Sequence, residues 1–113
     1  MPGASIPAPV RLVAPDRKAP FVPGREAELA KVEGDGLAAL GILGGDHVVL
    51  IRREQAEHGD IAAVLDDHGC ATLWKVYPEG DVWRLVTGRP GQERRMSPPP
   101  RVQGVVVAVL RRS

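Results

Sequence analysis

The chain has 113 residues, with 15 Lys and Arg against 14 Asp and Glu, and its formal net charge is +1. This length allows one domain with its own hydrophobic core but not two. The balanced charge indicates neither a general nucleic-acid-binding field nor a trap for acidic substrates, and the single cysteine, Cys70, excludes a disulfide within the chain and a cluster of thiolate metal ligands.

The same composition predicts a soluble, cytoplasmic protein without a membrane partner. A lone cysteine fits a reducing compartment, and we expect Cys70 to be a small buried residue. The N-terminal segment lacks the apolar stretch of a signal peptide, and no run reaches the roughly 18 apolar residues that cross a bilayer.

Proline dominates the beginning of the chain. Residues 1–24 carry prolines at positions 2, 7, 9, 15, 20 and 23, out of 11 in the whole chain. Proline removes a backbone donor and fixes φ, which opposes both helices and central strands. We therefore predict an extended arm or irregular edge over 1–24, followed by one domain over 25–113.

Short apolar runs separated by turn residues follow this arm. Residues 25–32 are ambiguous between a helical turn and a strand, with a strand favoured over 30–33. Residues 37–43 predict one short helix that ends at Gly44 and Gly45. The β-branched and apolar runs predict strands over 47–52, 61–65, 71–77, 82–87 and 102–110.

These elements predict an all-β fold, a small sandwich or barrel with one short helix. Strands at intervals of about ten residues, joined by Gly, Asp and Pro turns, favour it over a parallel α/β arrangement. Residues 88–101 are polar and rich in proline, so we expect a long exposed loop there. Residues 102–110 are apolar on both faces, which is typical of a fully buried strand.

Residues 32–49, VEGDGLAALGILGGDHVV, resemble the pattern V-x-G-D-S-M, x₃, G-I, x₂, G-D of the self-cleaving LexA and UmuD proteins. Residues 59–64, 71–73 and 82–85 are similar to later strands of that family, and so is the closing GVVVAVLRR. The resemblance covers roughly 30–112. It implies the signal-peptidase-like β domain found at the C-terminus of LexA, whereas no segment here predicts the helix-turn-helix with which LexA reads DNA.

The resemblance also carries the family's chemistry, in which a serine hydroxyl attacks a peptide carbonyl and a neutral lysine takes its proton. By residue matching, the serine position falls on Gly36, after four matching residues. The lysine position falls on Trp74, which follows the matching residues 71–73 and precedes Gly80 by the family's spacing. Neither glycine nor indole can replace the lost group, so the resemblance implies a pseudoenzyme without catalytic residues.

Two neighbouring features could alter that conclusion. A one-residue gap would bring Lys75 to the lysine position, but adjacent strand residues point to opposite faces, so Lys75 is expected to face away. The stretch most similar to the family's Ala-Gly cleavage site ends in Ala14 and Pro15. Proline after the scissile bond removes the amide N–H and disfavours docking of an extended substrate.

Other residues that carry chemistry are interpreted more simply. His47, His58 and His68 match no compact metal motif, and we expect solvated loop residues and no metal or cofactor. Ser97 is expected in an exposed loop. The remaining cluster is basic and could contact a phosphate backbone or an acidic protein, although a solvated loop is favoured; its members are Arg89, Arg94, Arg95, Arg101, Arg111 and Arg112.

The favoured function is a dimerisation or regulatory interaction module, linked to transcription control or the DNA-damage (SOS) response, with a further regulatory protein as an open possibility. The alternative is a serine or cysteine peptidase with a displaced nucleophile, acting on itself or another chain, which would need Cys70 or Thr72 beside Lys75. The last predicted strand is apolar on both faces, but a single small domain buries only one of them. We therefore expect a homodimer in which a second copy covers the other face. Its interface candidates are Val105, Val106, Val107, Val109 and Leu110.

Overall fold

The computed structural model describes residues 10–16, 26–53 and 55–111. This part of the chain is nearly all β, as predicted. It contains one short 3-10 helix, Ala38–Leu40, and eight strands. The strands are β1 (Val10–Val13), β2 (Ala27–Glu33), β3 (His47–Ile51), β4 (Ile61–Leu65), β5 (Ala71–Glu79), β6 (Val82–Val86), β7 (Glu93–Met96) and β8 (Arg101–Leu110).

All eight strands belong to one antiparallel sheet in the order β1-β2-β3-β8-β4-β5-β6-β7. The first strand pairs on both sides, with β2 at Arg11↔Glu33 and with β5 at Val10↔Leu73. Six strands therefore close into a ring, and β6 and β7 continue the sheet from the far half of β5. Closure reduces the free edges of the sheet, and those that remain in the described part are at β7 and along the second half of β8.

Alternation of side chains along the strands divides the apolar residues into two clusters. The ring cluster fills the inside of the ring, where Leu73 of β5 packs with Leu50 of β3. Leu37 and Ile42, on either side of the 3-10 helix, are fully buried in the same cluster. The turn can tighten in this way because Gly41 adopts a positive φ of 83° that other residues rarely reach.

The outer cluster lies on the opposite face of β4 and β5. Trp74 and Val76 of β5 pack there against Leu85 of β6 and Val105 of β8. Because β8 pairs with both β3 and β4, it contributes to both clusters: Val105 belongs to the outer one, whereas Val106 packs against the ring cluster. One strand thus connects the two halves of the hydrophobic core.

Several sequence expectations change in detail. The segment predicted as an arm, 1–24, contributes β1 to the ring, and its residues 1–9 and 17–24 lie outside the described part. The expected loop over 88–101 contains β7, an edge strand paired only with β6. The expected helix over 37–43 is a single 3-10 turn. None of the helical structure in the described ranges is long and apolar enough to cross a membrane.

The last strand is also less buried than predicted. Val105 is buried, but Val107 is 56% exposed and Val109 is 39% exposed. Val107 is an extra residue in β8 where the register with β3 shifts between Val49 and Leu50, so it has no partner in this ladder. Beyond Val105, β8 has no partner on the β4 side among the described strands, because the β4 pairing ends at Ala62↔Val105.

Candidate functional site

The turn between β2 and β3 carries Gly36, the position matched to the family's serine. Asp35 shapes this turn: its Oδ1 accepts a hydrogen bond from the Gly44 amide at 2.9 Å, and its backbone carbonyl accepts one from Ala38 at 3.1 Å. Gly36 is half-buried, and the side chain of the next residue, Leu37, points into the ring cluster. The turn is ordered by hydrogen bonds at both of its ends.

Asp46 lies at the end of the same turn, directly before β3. Its carboxylate is buried and accepts hydrogen bonds from the Leu43 amide (2.9 Å) and from two nitrogens of Arg111, Nε at 3.0 Å and Nη2 at 2.8 Å. Arg111 Nη2 also donates to the Gly41 carbonyl at 2.7 Å. Hydrogen bonding from Arg111, with help from Leu43, holds the pKa of Asp46 below its ordinary value although burial opposes this.

Trp74, the position matched to the family's lysine, lies inside the outer cluster with 4% of its surface exposed. Its indole Nε1–H donates to the hydroxyl of Thr72 at 3.1 Å. Thr72 in turn donates to the Val64 carbonyl at 3.2 Å. A buried tryptophan ordinarily satisfies its one donor in this way, so both polar side chains at this point of β5 already have their partners.

The groups needed for a displaced nucleophile are distributed differently. Lys75 lies on the face of β5 opposite to Trp74, where its Nζ is 5.8 Å from the centroid of the Tyr77 ring. Cys70 is exposed in the turn before β5, so the expectation that it is buried is wrong. Cys70 belongs to the turn between β4 and β5, whose conformation is stabilised by hydrogen bonds from the backbone amides of His68 and Cys70 to the Asp66 carboxylate.

The stretch similar to a cleavage site runs away from the Gly36 turn. Strand β1 is antiparallel to β2, with Val13 opposite Lys31, so Ala14 and Pro15 lie beyond that pair. Gly34 comes three positions after Lys31, which is roughly 10 Å along the chain in strand geometry. In this arrangement Ala14 and Pro15 lie level with the middle of β2, whereas the Gly36 turn follows the end of that strand.

The three histidines occupy two environments. His58 and His68 are exposed, as expected, but His47 is buried at 7% exposure, which corrects the expectation of a solvated residue. Its Nε2 lies 2.7 Å from Oδ1 of Asp16 without the alignment of a hydrogen bond. Hydrogen bonding from Lys31 is the main reason why the pKa of Asp16 is lowered. No His, Cys, Asp and Glu side chains in the described residues group as metal ligands.

The five interface candidates of β8 do not share one environment. Val105 and Val106 are committed to the core, and Leu110 is half-buried, whereas Val107 and Val109 are exposed. Of the predicted basic cluster, Arg111 is bound to Asp46, and Arg112 lies outside the described residues. Ser97 is exposed after β7, as expected. Sequence reasoning did not identify the bond between Asp46 and Arg111, because 65 residues separate them.

Comparison with known proteins finds LexA repressors. A LexA repressor of Leuconostoc mesenteroides is 35% identical over 57 residues, which cover 50% of this chain and 27% of that protein. A LexA repressor of Gluconobacter oxydans is 39% identical over 82 residues, which cover 71% of this chain and 34% of that protein. No family model matches the chain. The matched residues thus span about a quarter to a third of the length of these curated relatives.

Proposed function

Because this chain is LexA-like in sequence and nearly all β in fold, we propose that it is a regulatory interaction module which forms a homodimer and does not cleave peptide bonds. The relatives are repressors by name, so the proposed setting is transcription control or the DNA-damage response. The chain would act through its surfaces, on itself and on a further regulatory protein.

The observation that carries this proposal is the environment of Trp74. A serine peptidase of this kind needs a general base that becomes neutral by partial burial and still reaches the nucleophile. An indole has no basic nitrogen, and Trp74 is packed among apolar side chains with its one donor bonded to Thr72. Gly36 supplies no nucleophile either, so both halves of the reaction lack a group to carry them out.

The alternative with a displaced nucleophile receives no support from these contacts. The hydroxyl of Thr72 is buried and already bonded to the Val64 carbonyl. The thiol of Cys70 is exposed in a turn, and Lys75 is oriented towards Tyr77. A nucleophile and its base must lie within hydrogen-bond reach of each other, and none of these side chains is bonded to another as such a pair requires.

The dimer proposal rests on the second half of β8. Its edge on the β4 side is unpaired beyond Val105 in the described part of the chain, and its exposed side chains include Val107 and Val109. An exposed strand edge next to apolar side chains pairs readily with another strand. Antiparallel pairing of two β8 strands about a two-fold axis would use the same surface twice and close the assembly.

Two measurements test the proposal. Incubation of the purified protein at alkaline pH, followed by mass spectrometry of the intact chain, is expected to leave it uncut, because raising the pH promotes lysine deprotonation without supplying a nucleophile. A specific cut near Ala14 would instead establish the peptidase alternative. Sedimentation velocity over a range of concentrations is expected to show a dimer, and a monomer at every concentration would refute the assembly.

A further inference from the structure

Three arginines from distant parts of the sequence meet where β3 ends and β8 begins. The pairing of these strands stops at Ile51↔Val105, and the chain leaving β3 then passes alongside the first residues of β8. Arg52, Arg53 and Arg101 consequently line one hollow of about 390 Å³. The remaining lining residues are Pro100, Val102 and Gln103.

A second hollow, of about 540 Å³, adjoins the first and shares Pro100 and Arg101 with it. Arg94 and Arg95 of β7 line this second hollow, and as neighbours in one strand they present their side chains to its two opposite faces. All five arginines are exposed. We call this surface the arginine edge, and its members are Arg52, Arg53, Arg94, Arg95 and Arg101.

Acidic side chains compensate only part of this charge. Arg52 lies 3.9 Å from Glu26, in a pair whose side chains are 71% and 83% exposed, and such exposed pairs contribute little. The other four arginines form no ion pair with the described residues. Asp66 and Asp67 also line the second hollow, and Asp66 keeps its negative charge while its carboxylate accepts two backbone amide hydrogen bonds. Five arginines against Glu26, Asp66 and Asp67 still leave the arginine edge with an excess of positive charge on a nearly neutral chain.

We propose that the arginine edge binds the phosphate backbone of duplex nucleic acid. Guanidinium groups bind phosphate oxygens in a bidentate geometry that the point charge of lysine does not provide, and every cation of this surface is an arginine. Two adjoining hollows that share Arg101 provide cations in succession, which suits a polymer with regularly spaced phosphates.

The other residues of the surface favour a duplex over other anionic partners. Neither hollow contains an aromatic side chain, and single-stranded nucleic acid is held largely by stacking on aromatic residues. Protein partners need buried apolar anchors, but Met96 and Val102 of this surface are half-buried against the outer cluster. What remains exposed is guanidinium and proline, together with Ser97, Asp66 and Asp67.

This mode of binding differs from the recognition of a DNA sequence by a helix-turn-helix. Contacts to phosphate position a protein on a duplex and carry no sequence information by themselves. The arginine edge is therefore expected to bind duplexes of different sequence equally well. The proposal depends neither on the dimer nor on the loss of peptidase activity.

Fluorescence anisotropy with a labelled duplex of about 20 base pairs tests the proposal at several salt concentrations. Engagement of three to five phosphates predicts that log K falls against log salt with a slope of about −3 to −5. Arg53→Glu and Arg101→Glu are each expected to weaken binding about tenfold or more and to make the slope shallower. Circular dichroism checks that both variants are folded. If Arg101→Glu does not fold, Arg53→Glu still tests the proposal, because Arg53 lies outside the strands.

Arg89→Glu is the matched control, because it makes the same change in net charge at an exposed arginine that lines neither hollow. Binding by this variant is expected to stay within about twofold of the wild type. An equal loss with Arg89→Glu would overturn the proposal, since net charge alone would then explain binding. The absence of duplex binding at low salt would also overturn the proposal. The same holds if polyglutamate binds as tightly as the duplex and Arg53→Glu weakens its binding equally.

Discussion

The guanidinium of Arg111 and the carboxylate of Asp46 are joined by two hydrogen bonds, although 65 residues separate them in sequence. The pair attaches the end of β8 to the turn that carries Gly36, and Arg111 adds a bond to the Gly41 carbonyl of that turn. Because Asp46 is buried while the guanidinium is half exposed, the carboxylate depends on the pair more than the arginine does.

We expect Asp46→Ala to lower the free energy of unfolding by about 2–3 kcal/mol, because hydrogen bonds to a charged, buried group are lost together. Urea unfolding followed by circular dichroism measures the change. Arg111→Ala should also destabilise the protein, since it leaves the carboxylate without its main partner. The control is Arg52→Ala, which removes an exposed ion pair and should change stability little. Equal effects of all three variants would contradict this account.

The same carboxylate makes stability depend on pH. The pKa of Asp46 is lowered below its ordinary value of 3.8 in the folded chain, so the unfolded chain takes up the proton first as the pH falls. The contribution of Asp46 is therefore complete above about pH 5 and is lost as the pH falls through the folded pKa. The difference in stability between the wild type and Asp46→Asn should be largest near neutral pH and shrink in acid. A difference independent of pH would show that the charge is not involved.

The strands were largely predictable because each is a short apolar run enclosed by turn residues. The predicted range 61–65 coincides with β4, and 71–77 lies within β5. The ring closure was not predictable in this way. Proline density over 1–24 hid β1, whose four residues contain no proline and alternate in burial between Val10 and Val13. A strand that short is identified only by the two neighbours with which it pairs.

The structure of segments rich in charged residues was not predictable for a related reason. Strand β7 reads ERRM, and its strand conformation comes from backbone pairing with β6 rather than from any apolar pattern. The burial of His47 and the approach of Arg53 to Arg101 both depend on contacts between distant segments. Periodicity describes one element at a time, so it predicted the strands better than the surfaces that they build together.

We expect Trp74→Ala to lower the free energy of unfolding by about 3–5 kcal/mol, the usual range for removing a large aromatic side chain from a core. Trp74→Phe should lower the free energy of unfolding by about 1 kcal/mol more than repacking alone. The reason is that the hydroxyl of Thr72 no longer accepts a hydrogen bond from the indole N–H. Urea unfolding again measures both. Trp83→Phe is the control, at a half-buried position, and should be milder than Trp74→Ala. A neutral Trp74→Ala variant would mean that the residue is not part of the core.

Gly36→Ser is expected to leave the chain uncut at neutral and alkaline pH. The added hydroxyl has no neighbouring amine to accept its proton if the lysine position is Trp74. Mass spectrometry of the intact variant checks this result. If the variant did cut itself, the combination Gly36→Ser with Lys75→Ala would show whether Lys75 is the base, and the assignment of the lysine position to Trp74 would be wrong.

Val107→Glu is expected to convert the dimer into a folded monomer, because it places an unpaired carboxylate in each half of the proposed interface. Sedimentation velocity and circular dichroism together separate dissociation from unfolding. Val82→Glu is the matched control, since Val82 is 40% exposed but lies on β6. Val106→Glu should instead destabilise the monomer, because Val106 packs against the ring cluster. A Val107→Glu variant that stays dimeric would exclude this part of β8 from the interface.

The place of β8 in the sheet also constrains how the protein is made. It is the last of the described strands along the chain, yet it lies between β3 and β4. While the ribosome is still adding residues 101–110, both neighbours keep an open edge and the two apolar clusters remain incomplete. Such exposed edges favour aggregation, and pairings between distant segments form slowly. A premature stop codon before β8 should therefore yield insoluble fragments that proteases remove, rather than a shorter working protein.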